Sequence, residues 1–125
     1  VERLLHRRLL DPIGLHVGSW RSLKDGTQPL PTGASLTARE WLKLGLLVRD
    51  RRAGFARCFV GSAANPRYGL CWWLSPLADV PEIVYASGAG GQALYVIPSE
   101  RAVVVKFGGS ASYKHDAFLK RLLGA

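Results

Sequence analysis

The chain has 125 residues, of which 48% are hydrophobic and 10% aromatic, so it can bury one core and is not a disordered tail. Its 17 Lys and Arg residues outnumber 9 Asp and Glu residues, giving a formal net charge of +8, but the basic residues are scattered and no nucleic-acid motif is present. The sequence therefore disfavours nucleic acid as a partner, and no apolar run is long enough to predict a membrane span.

The N-terminal quarter is predicted to be helical and then irregular. Residues 1–10 place apolar side chains on one helical face and arginines on the other, and Asp11-Pro12 is expected to end that helix. The chain starts inside this helical pattern and contains no methionine, which suggests that an upstream part precedes it. Residues 14–31 carry several turn signals and are interpreted as a long irregular connection, a type of segment that often lines a functional surface.

The strongest helix signal begins at Thr37. Thr37 and Glu40 have the spacing of a capping box, in which each side chain satisfies a backbone amide of the other residue. Apolar residues continue the helical pattern to about Asp50, and residues 51–59 form a further short helical piece.

Beyond residue 65 the pattern changes to that of strands. Aromatic and β-branched runs predict strands at 68–74, 83–86, 93–97 and 102–107. The short link 98–101 predicts a hairpin, so the last two strands are antiparallel. An amphipathic helix follows over 114–123, with Gly124 as its C-terminal cap. The order predicts an α+β fold, an antiparallel sheet with flanking helices.

Isolated polar and aromatic residues receive structural interpretations. Tyr68, Tyr85 and Tyr95 are expected to pack across strands, and Trp72-Trp73 to place one ring in the core and the other under a loop. His115 is interpreted as a solvated residue at the start of the last helix.

The two cysteines, Cys58 and Cys71, could pair, remain free or act as small buried hydrophobes, and two buried thiols are the favoured interpretation. The scattered histidines lack metal-ligand spacing, so neither a metal nor a cofactor is predicted.

The segment Ser87-Gly88-Ala89-Gly90-Gly91-Gln92 is the candidate site. It spells neither a phosphate-binding loop nor a dinucleotide fingerprint, and it lies between two strands rather than before a helix. Glycines at such a place mark either a bend between strands or a close approach of another backbone or ligand. In the second case the strand edge would hydrogen-bond a substrate or donate one N–H to an oxyanion.

Four passages of the sequence carry a resemblance to a known family. They are residues 9–15, residues 33–41, residues 65–74, and residues 86–92 with 95–99 and 103–105. In this order the passages resemble the C-terminal portion of a β-lactamase or penicillin-binding-protein-like serine hydrolase, with the esterase and amide-hydrolase members nearest. The resemblance implies that residues 1–125 are one such portion and part of a β-lactamase/transpeptidase-like fold. Within it, 1–60 are mainly helix and loop, 68–107 antiparallel strands and 114–123 a helix.

The resemblance implies acyl transfer from an ester, an amide or a β-lactam through an acyl-enzyme. Ala86-Ser87-Gly88 aligns with the family's third conserved motif, so Ser87 would hydrogen-bond the substrate, Ala89 would donate an oxyanion N–H, and Gly90, Gly91 and Gln92 would form the floor behind. Ala86 stands where the family usually has a cation, which favours ester or amide substrates over β-lactams.

The chain contains neither Ser-x-x-Lys nor Tyr-x-Asn, so it should be inactive by itself and its partner would be the missing N-terminal portion of the same fold. The family suggests a periplasmic or secreted location. Two alternatives stay open: a non-catalytic domain whose glycine-rich strand binds a peptide or partner, and a basic module that binds nucleic acid or an anionic surface.

Overall fold

The computed structural model describes residues 2–28, 32–109 and 112–124. The helices are α1 (Glu2–Leu5), α2 (Ala38–Asp50) and α3 (His115–Leu123), with a π-helical turn at His6–Leu10 and 3-10 turns at Asp11–Ile13, Arg52–Phe59 and Pro98–Glu100. The strands are β1 (Ser19–Trp20), β2 (Ala34–Ser35), β3 (Trp73–Leu74), β4 (Val84–Gly88), β5 (Gln92–Ile97) and β6 (Ala102–Lys106). None of the described helices has the length and apolar character that crossing a bilayer requires.

A four-stranded antiparallel sheet forms the centre of the fold. Its strand order, β3-β4-β5-β6, follows the chain, and β5 and β6 are joined by the short turn that the sequence predicted. Arg101 adopts a left-handed φ of 49° to close that turn. The predicted α+β class, an antiparallel sheet with flanking helices, is therefore confirmed.

The hydrophobic core consists of two clusters of buried side chains, one on each face of the sheet. Along β5, Tyr95 and Ile97 point to one face, where they pack with Leu119 of α3, whereas Leu94 and Val96 point to the other face, which α2 covers. This alternation is the period of two that a strand imposes. Because both faces are covered, all four of these β5 side chains are completely buried. Each of the three aliphatic ones contributes about 1.5–3 kcal/mol of hydrophobic stabilisation.

Helix α2 begins as the sequence predicted, but its capping box is only half formed. The Thr37 hydroxyl accepts a hydrogen bond from the Glu40 amide at 3.2 Å. The Glu40 carboxylate instead accepts from the His16 amide at 2.6 Å and from Lys43 Nζ at 2.9 Å. These contacts, the His16 hydrogen bond first, lower the pKa of Glu40. The reciprocal bond is lost because the irregular N-terminal connection supplies a competing donor.

The N-terminal segment differs from its prediction in two ways. Pro12 does not end the helical path, because it lies in the first turn of the 3-10 helix, where its missing N–H is no loss. The path ends at Gly14, which takes a left-handed φ of 61°. Residues 14–31 were predicted to be irregular, but β1 lies within them and pairs with β2, Trp20 opposite Ala34. Residues 29–31 of that connection lie outside the described part.

The prediction of a strand over 68–74 is largely wrong. Only Trp73–Leu74 pair with β4, and Tyr68 forms a single bridge to Trp73. Cys71 interrupts the segment because its φ of 61° is left-handed and cannot continue an extended strand. Trp72 enters the core as expected, whereas Trp73 lies at the surface with its ring 4.8 Å from that of Tyr68.

The two cysteines have different environments. Cys58 is buried and its pKa is raised by that burial, whereas Cys71 is exposed, and both are free thiols. The expectation of two buried thiols is therefore wrong for Cys71, because the left-handed turn at this residue carries its side chain outward.

Candidate functional site

Strand β4 has an open edge at its C-terminal end, within the predicted site. Strand β3 pairs only with Val84 and Tyr85, and no other described strand continues the ladder on that side. On its other side β4 pairs with β5 throughout, with Ser87 opposite Ala93 and Gly88 opposite Gln92. Residues 86–88 therefore present one edge of the backbone to a ligand or to another chain.

The hairpin that follows is a glycine turn held by a lysine. Gly90 and Gly91 have left-handed φ values of 76° and 72°, a backbone conformation that other residues rarely adopt. The ammonium group of Lys106 donates a hydrogen bond to the Gly91 carbonyl at 2.9 Å and another to the Gly108 carbonyl. The turn is thus tied to the end of β6, which fixes the position of Ala89 beside the open edge.

Ser87 meets His115 at the open edge. Ser87 lies two residues after Tyr85 on β4, so its side chain is on the same face of the sheet, the face that α3 covers. His115 is the first residue of α3. The Ser87 Oγ is 3.2 Å from His115 Nε2. The other ring nitrogen, Nδ1, is 2.6 Å from the Tyr95 hydroxyl, which in turn contacts the Tyr113 hydroxyl. An exposed serine is therefore the outer end of a hydrogen-bonded chain that reaches into the core.

The hydrogen bonds that link Ser87, His115, Tyr95 and Tyr113 can run in either of two directions, and all of them reverse together. A neutral imidazole has one donor and one acceptor nitrogen. If Ser87 donates to Nε2, then His115 Nδ1 donates to Tyr95, and Tyr95 donates to Tyr113. In the reverse arrangement Nε2 donates to Ser87, whose hydroxyl proton is then free for a ligand. The tautomer of His115 therefore decides whether Ser87 offers a ligand a donor or only lone pairs.

The surroundings of His115 favour its neutral form. Burial lowers the pKa of the imidazole, and the positive charge of Lys106 lowers it further, whereas Asp116 acts in the opposite direction. The Tyr85 ring packs with its centroid 4.5 Å from that of His115. Burial, together with the hydrogen bond to Tyr113, raises the pKa of Tyr95 far above its usual value, so its hydroxyl stays protonated. At neutral pH all four hydrogen-bonded side chains, those of Ser87, His115, Tyr95 and Tyr113, are therefore uncharged.

Replacing Lys106 by methionine should raise the pKa of His115, because it removes a nearby positive charge and keeps most of the aliphatic side chain. A pH titration of the His115 ring protons by NMR measures the change. Lys120→Met is the matched control, since Lys120 lies exposed further along α3. An unchanged His115 titration in Lys106→Met would contradict this account of the site.

A groove of about 610 Å³ lies beside the hairpin. Gly88, Ala89 and Gln92 line one side, residues 32–36 line another, and Trp41 and Phe107 complete it with ring centroids 5.8 Å apart. The predicted site residues are thus divided. Gly88, Ala89 and Gln92 border the groove, Ser87 contacts His115 on the α3 face, and Gly90 and Gly91 form the turn held by Lys106.

Sequence reasoning missed His115, Tyr113 and Lys106. His115 was interpreted as solvated, but it is half-buried against Tyr85 and Tyr95, because α3 packs with its first turn against the end of the sheet. Comparison of the sequence with known protein families and with curated proteins gives no match.

Proposed function

We propose that the chain supplies one wall of the active site of a serine hydrolase of the β-lactamase-like class, acting on an ester or an amide. Ser87 is the substrate-binding hydroxyl of this wall and Ala89 its oxyanion N–H donor. The observation that carries the proposal is the open edge of β4 at residues 86–88, which continues into a hairpin bordering a groove. An acyl group laid along this edge would meet the backbone of residues 86–88, with the Ser87 hydroxyl on the α3 side of the sheet and the groove on the side of Trp41.

Two further features support this role. Lys106 ties the Gly91 carbonyl to the end of β6, and a donor that is held in place stabilises developing charge without having to reorient. Ala86 offers no positive charge on the strand, and His115 beside Ser87 is neutral at neutral pH. Uncharged acyl compounds therefore fit this wall better than anions do at that pH.

The hydrolytic chemistry needs a nucleophile and a base from Ser-x-x-Lys, which this sequence does not contain. The test is to determine the intact mass and N-terminal sequence of the protein isolated from its source. The proposal expects an upstream segment that contains Ser-x-x-Lys. A natural chain that begins at Val1, or an upstream segment without this motif, would contradict the proposal.

In that longer protein, Ser87→Ala should lower kcat/KM for p-nitrophenyl butyrate by about tenfold, the equivalent of one hydrogen bond to the substrate. Ser99→Ala is the matched control, because Ser99 is an exposed serine in the turn between β5 and β6. Equal activity of the two variants would exclude Ser87 from substrate binding.

A non-catalytic peptide-binding domain is the second candidate, and the same open edge favours it. An extended peptide could add to β4 as a further strand, with hydrogen bonds at residues 86–88. Slowed amide hydrogen exchange at these residues on addition of peptide, without hydrolysis of any ester by the longer protein, would favour this second candidate.

A further inference from the structure

The pairing of Ser87 with His115 gives the open edge a titratable group that the strand itself lacks. Ala86 of β4 stands at the position where the resembled family usually has a positively charged residue, and it carries no charge. The His115 imidazole comes from α3 and reaches within 3.2 Å of the Ser87 hydroxyl. Because Ser87 is exposed, a ligand bound to its hydroxyl would lie next to this ring.

The groups that surround His115 come from every neighbouring element. Tyr85 of β4, Tyr95 of β5 and Tyr113 before α3 contact the ring, and all three have raised pKa values and stay neutral. The charged groups that act on the imidazole are Lys106 of β6 and Asp116 of α3, whose effects oppose each other. Arg67 acts on the neighbouring Tyr85 hydroxyl.

The positive charge of Lys106 is already engaged. Its ammonium group donates to the Gly91 and Gly108 carbonyls and lies 3.9 Å from the centroid of the Tyr113 ring. Lys106 therefore holds the hairpin in place. The titratable group beside Ser87 that can supply a positive charge to a ligand is the His115 imidazole.

We propose that Ser87 and His115 form a carboxylate-binding site in which protonated His115 supplies the positive charge and Ser87 the hydroxyl donor. This inference rests on the proposed function, in which the edge of β4 forms one side of a ligand-binding site. It adds carboxylates to the esters and amides that the site is proposed to bind. At neutral pH the edge takes uncharged esters and amides, and at lower pH it takes carboxylates in addition.

The hydrogen-bond chain explains why protonation changes the ligand class. An imidazolium donates from both nitrogens, so Nδ1–H is directed at Tyr95 and Nε2–H at Ser87. The Ser87 hydroxyl must then accept from His115, and its own proton is free to donate to a ligand oxygen. The ligand also meets the positive charge of the ring, and charge-assisted hydrogen bonds are about twice as strong as neutral ones.

The direction of the pH dependence follows from linkage. Burial and Lys106 disfavour the imidazolium in the free protein, which lowers the pKa of His115. A bound carboxylate stabilises the imidazolium and raises that pKa, so binding takes up a proton. Carboxylate affinity must therefore rise as pH falls between the pKa of the bound state and that of the free state. One linked proton changes the affinity by at most about tenfold per pH unit.

The experiment is an NMR titration of the isotope-labelled chain with N-acetylglycine at several pH values from about 7.5 to about 5, a range over which its carboxyl group stays ionised. N-acetylglycinamide, its neutral counterpart, is titrated in parallel. The amide shifts of residues 86–92 and the His115 ring signals are the readouts. The acid should bind more tightly as the pH falls between the two pKa values of His115, by at most about tenfold per pH unit. The affinity for the neutral amide should change much less, because the amide gains no attraction to the positive charge of the ring.

His115→Gln separates the charge from the hydrogen bond, because a glutamine side chain can still donate to Ser87 but cannot be protonated. This variant should lose the pH dependence for the acid, because no group beside Ser87 then gains a positive charge as the pH falls. His16→Gln is the matched control, since His16 is an exposed histidine outside the site, and it should retain the full pH dependence. Circular dichroism at each pH confirms that the variants are folded.

The inference is overturned if the affinity for N-acetylglycine does not change with pH, or if His115→Gln retains the change. Binding of the neutral amide at residues 86–92 without any pH-dependent binding of the acid would overturn this inference alone and leave the proposed function intact. Absence of binding at residues 86–92 by either compound at all pH values would contradict both proposals.

Discussion

Replacing Leu119 by alanine should lower the free energy of unfolding by about 2–5 kcal/mol. Leu119 is the residue of α3 with a completely buried side chain, and it packs on the face of the sheet that carries Tyr95 and Ile97. Truncation there removes apolar burial and leaves a cavity between α3 and the sheet. Urea unfolding measures the loss.

The matched control is Leu122→Ala on the same helix. Leu122 is 45% exposed, so its truncation should cost about 0.5 kcal/mol or less. Because α3 also positions His115, Leu119→Ala should let the helix loosen and bring the pKa of His115 back towards its usual value, which NMR titration detects. Equal stabilities of the two variants would mean that α3 is not anchored on the sheet by Leu119.

Replacing Gly45 by alanine should destabilise the protein by about 1–2 kcal/mol, although alanine is the better helix former. Gly45 lies in the middle of α2 and is buried against the sheet. An added Cβ would fall well inside the contact distance of Val103 Cγ1 and 2.8 Å from Leu94 Cδ1. Leu94 is completely buried, and the rotamer of a valine is stiff, so neither side chain yields without cost.

Urea unfolding of a double-mutant cycle with Val103→Ala tests this explanation. Because the shorter side chain at position 103 makes room for the new methyl group, Gly45→Ala should cost less in that background, with a coupling of about 1 kcal/mol. Gly54→Ala is the control, since an added Cβ there meets no atom within 4 Å. Equal losses in the two backgrounds would show that the close approach of α2 and β6 is not the cause.

The elements that could be predicted from sequence are those with a strong local signal. Residues 93–97 and 102–107 combine β-branched residues with a turn between them, and they form β5 and β6 almost as predicted. Thr37, which precedes an apolar helical pattern, predicted the start of α2 correctly. Gly124 predicted the end of α3 correctly, and it adopts a left-handed φ of 71° there.

The elements that could not be predicted depend on distant partners. Strands β1 and β2 have two residues each, and they are extended because they pair with each other across a long connection. The segment 68–74 has the composition of a strand, but the left-handed backbone of Cys71 outweighs that preference. Glu40 had the right spacing for a capping box, but the His16 amide, 24 residues away, takes its carboxylate.

The same contrast holds at the candidate site. The glycines in 87–92 marked the hairpin from sequence alone, because the positive φ of Gly90 and Gly91 is a conformation that glycine adopts most readily. The contact of Ser87 with His115 joins residues 28 positions apart, and it depends on how α3 packs against the sheet. No spacing rule brings a serine on a strand and a histidine on a later helix together. The contact between Ser87 and His115 therefore needed the tertiary structure, whereas the position of the hairpin did not.

The most direct test of the account is to locate a neutral acyl compound on the protein. Titration of the isotope-labelled chain with N-acetylglycine methyl ester should move the amide signals of residues 86–92, with Ala89 among the largest shifts, and Ser87→Ala should weaken the binding. The contradictory result is binding elsewhere, for example in the apolar pocket of about 370 Å³ next to Val60 and Leu70, with the signals of residues 86–92 unchanged.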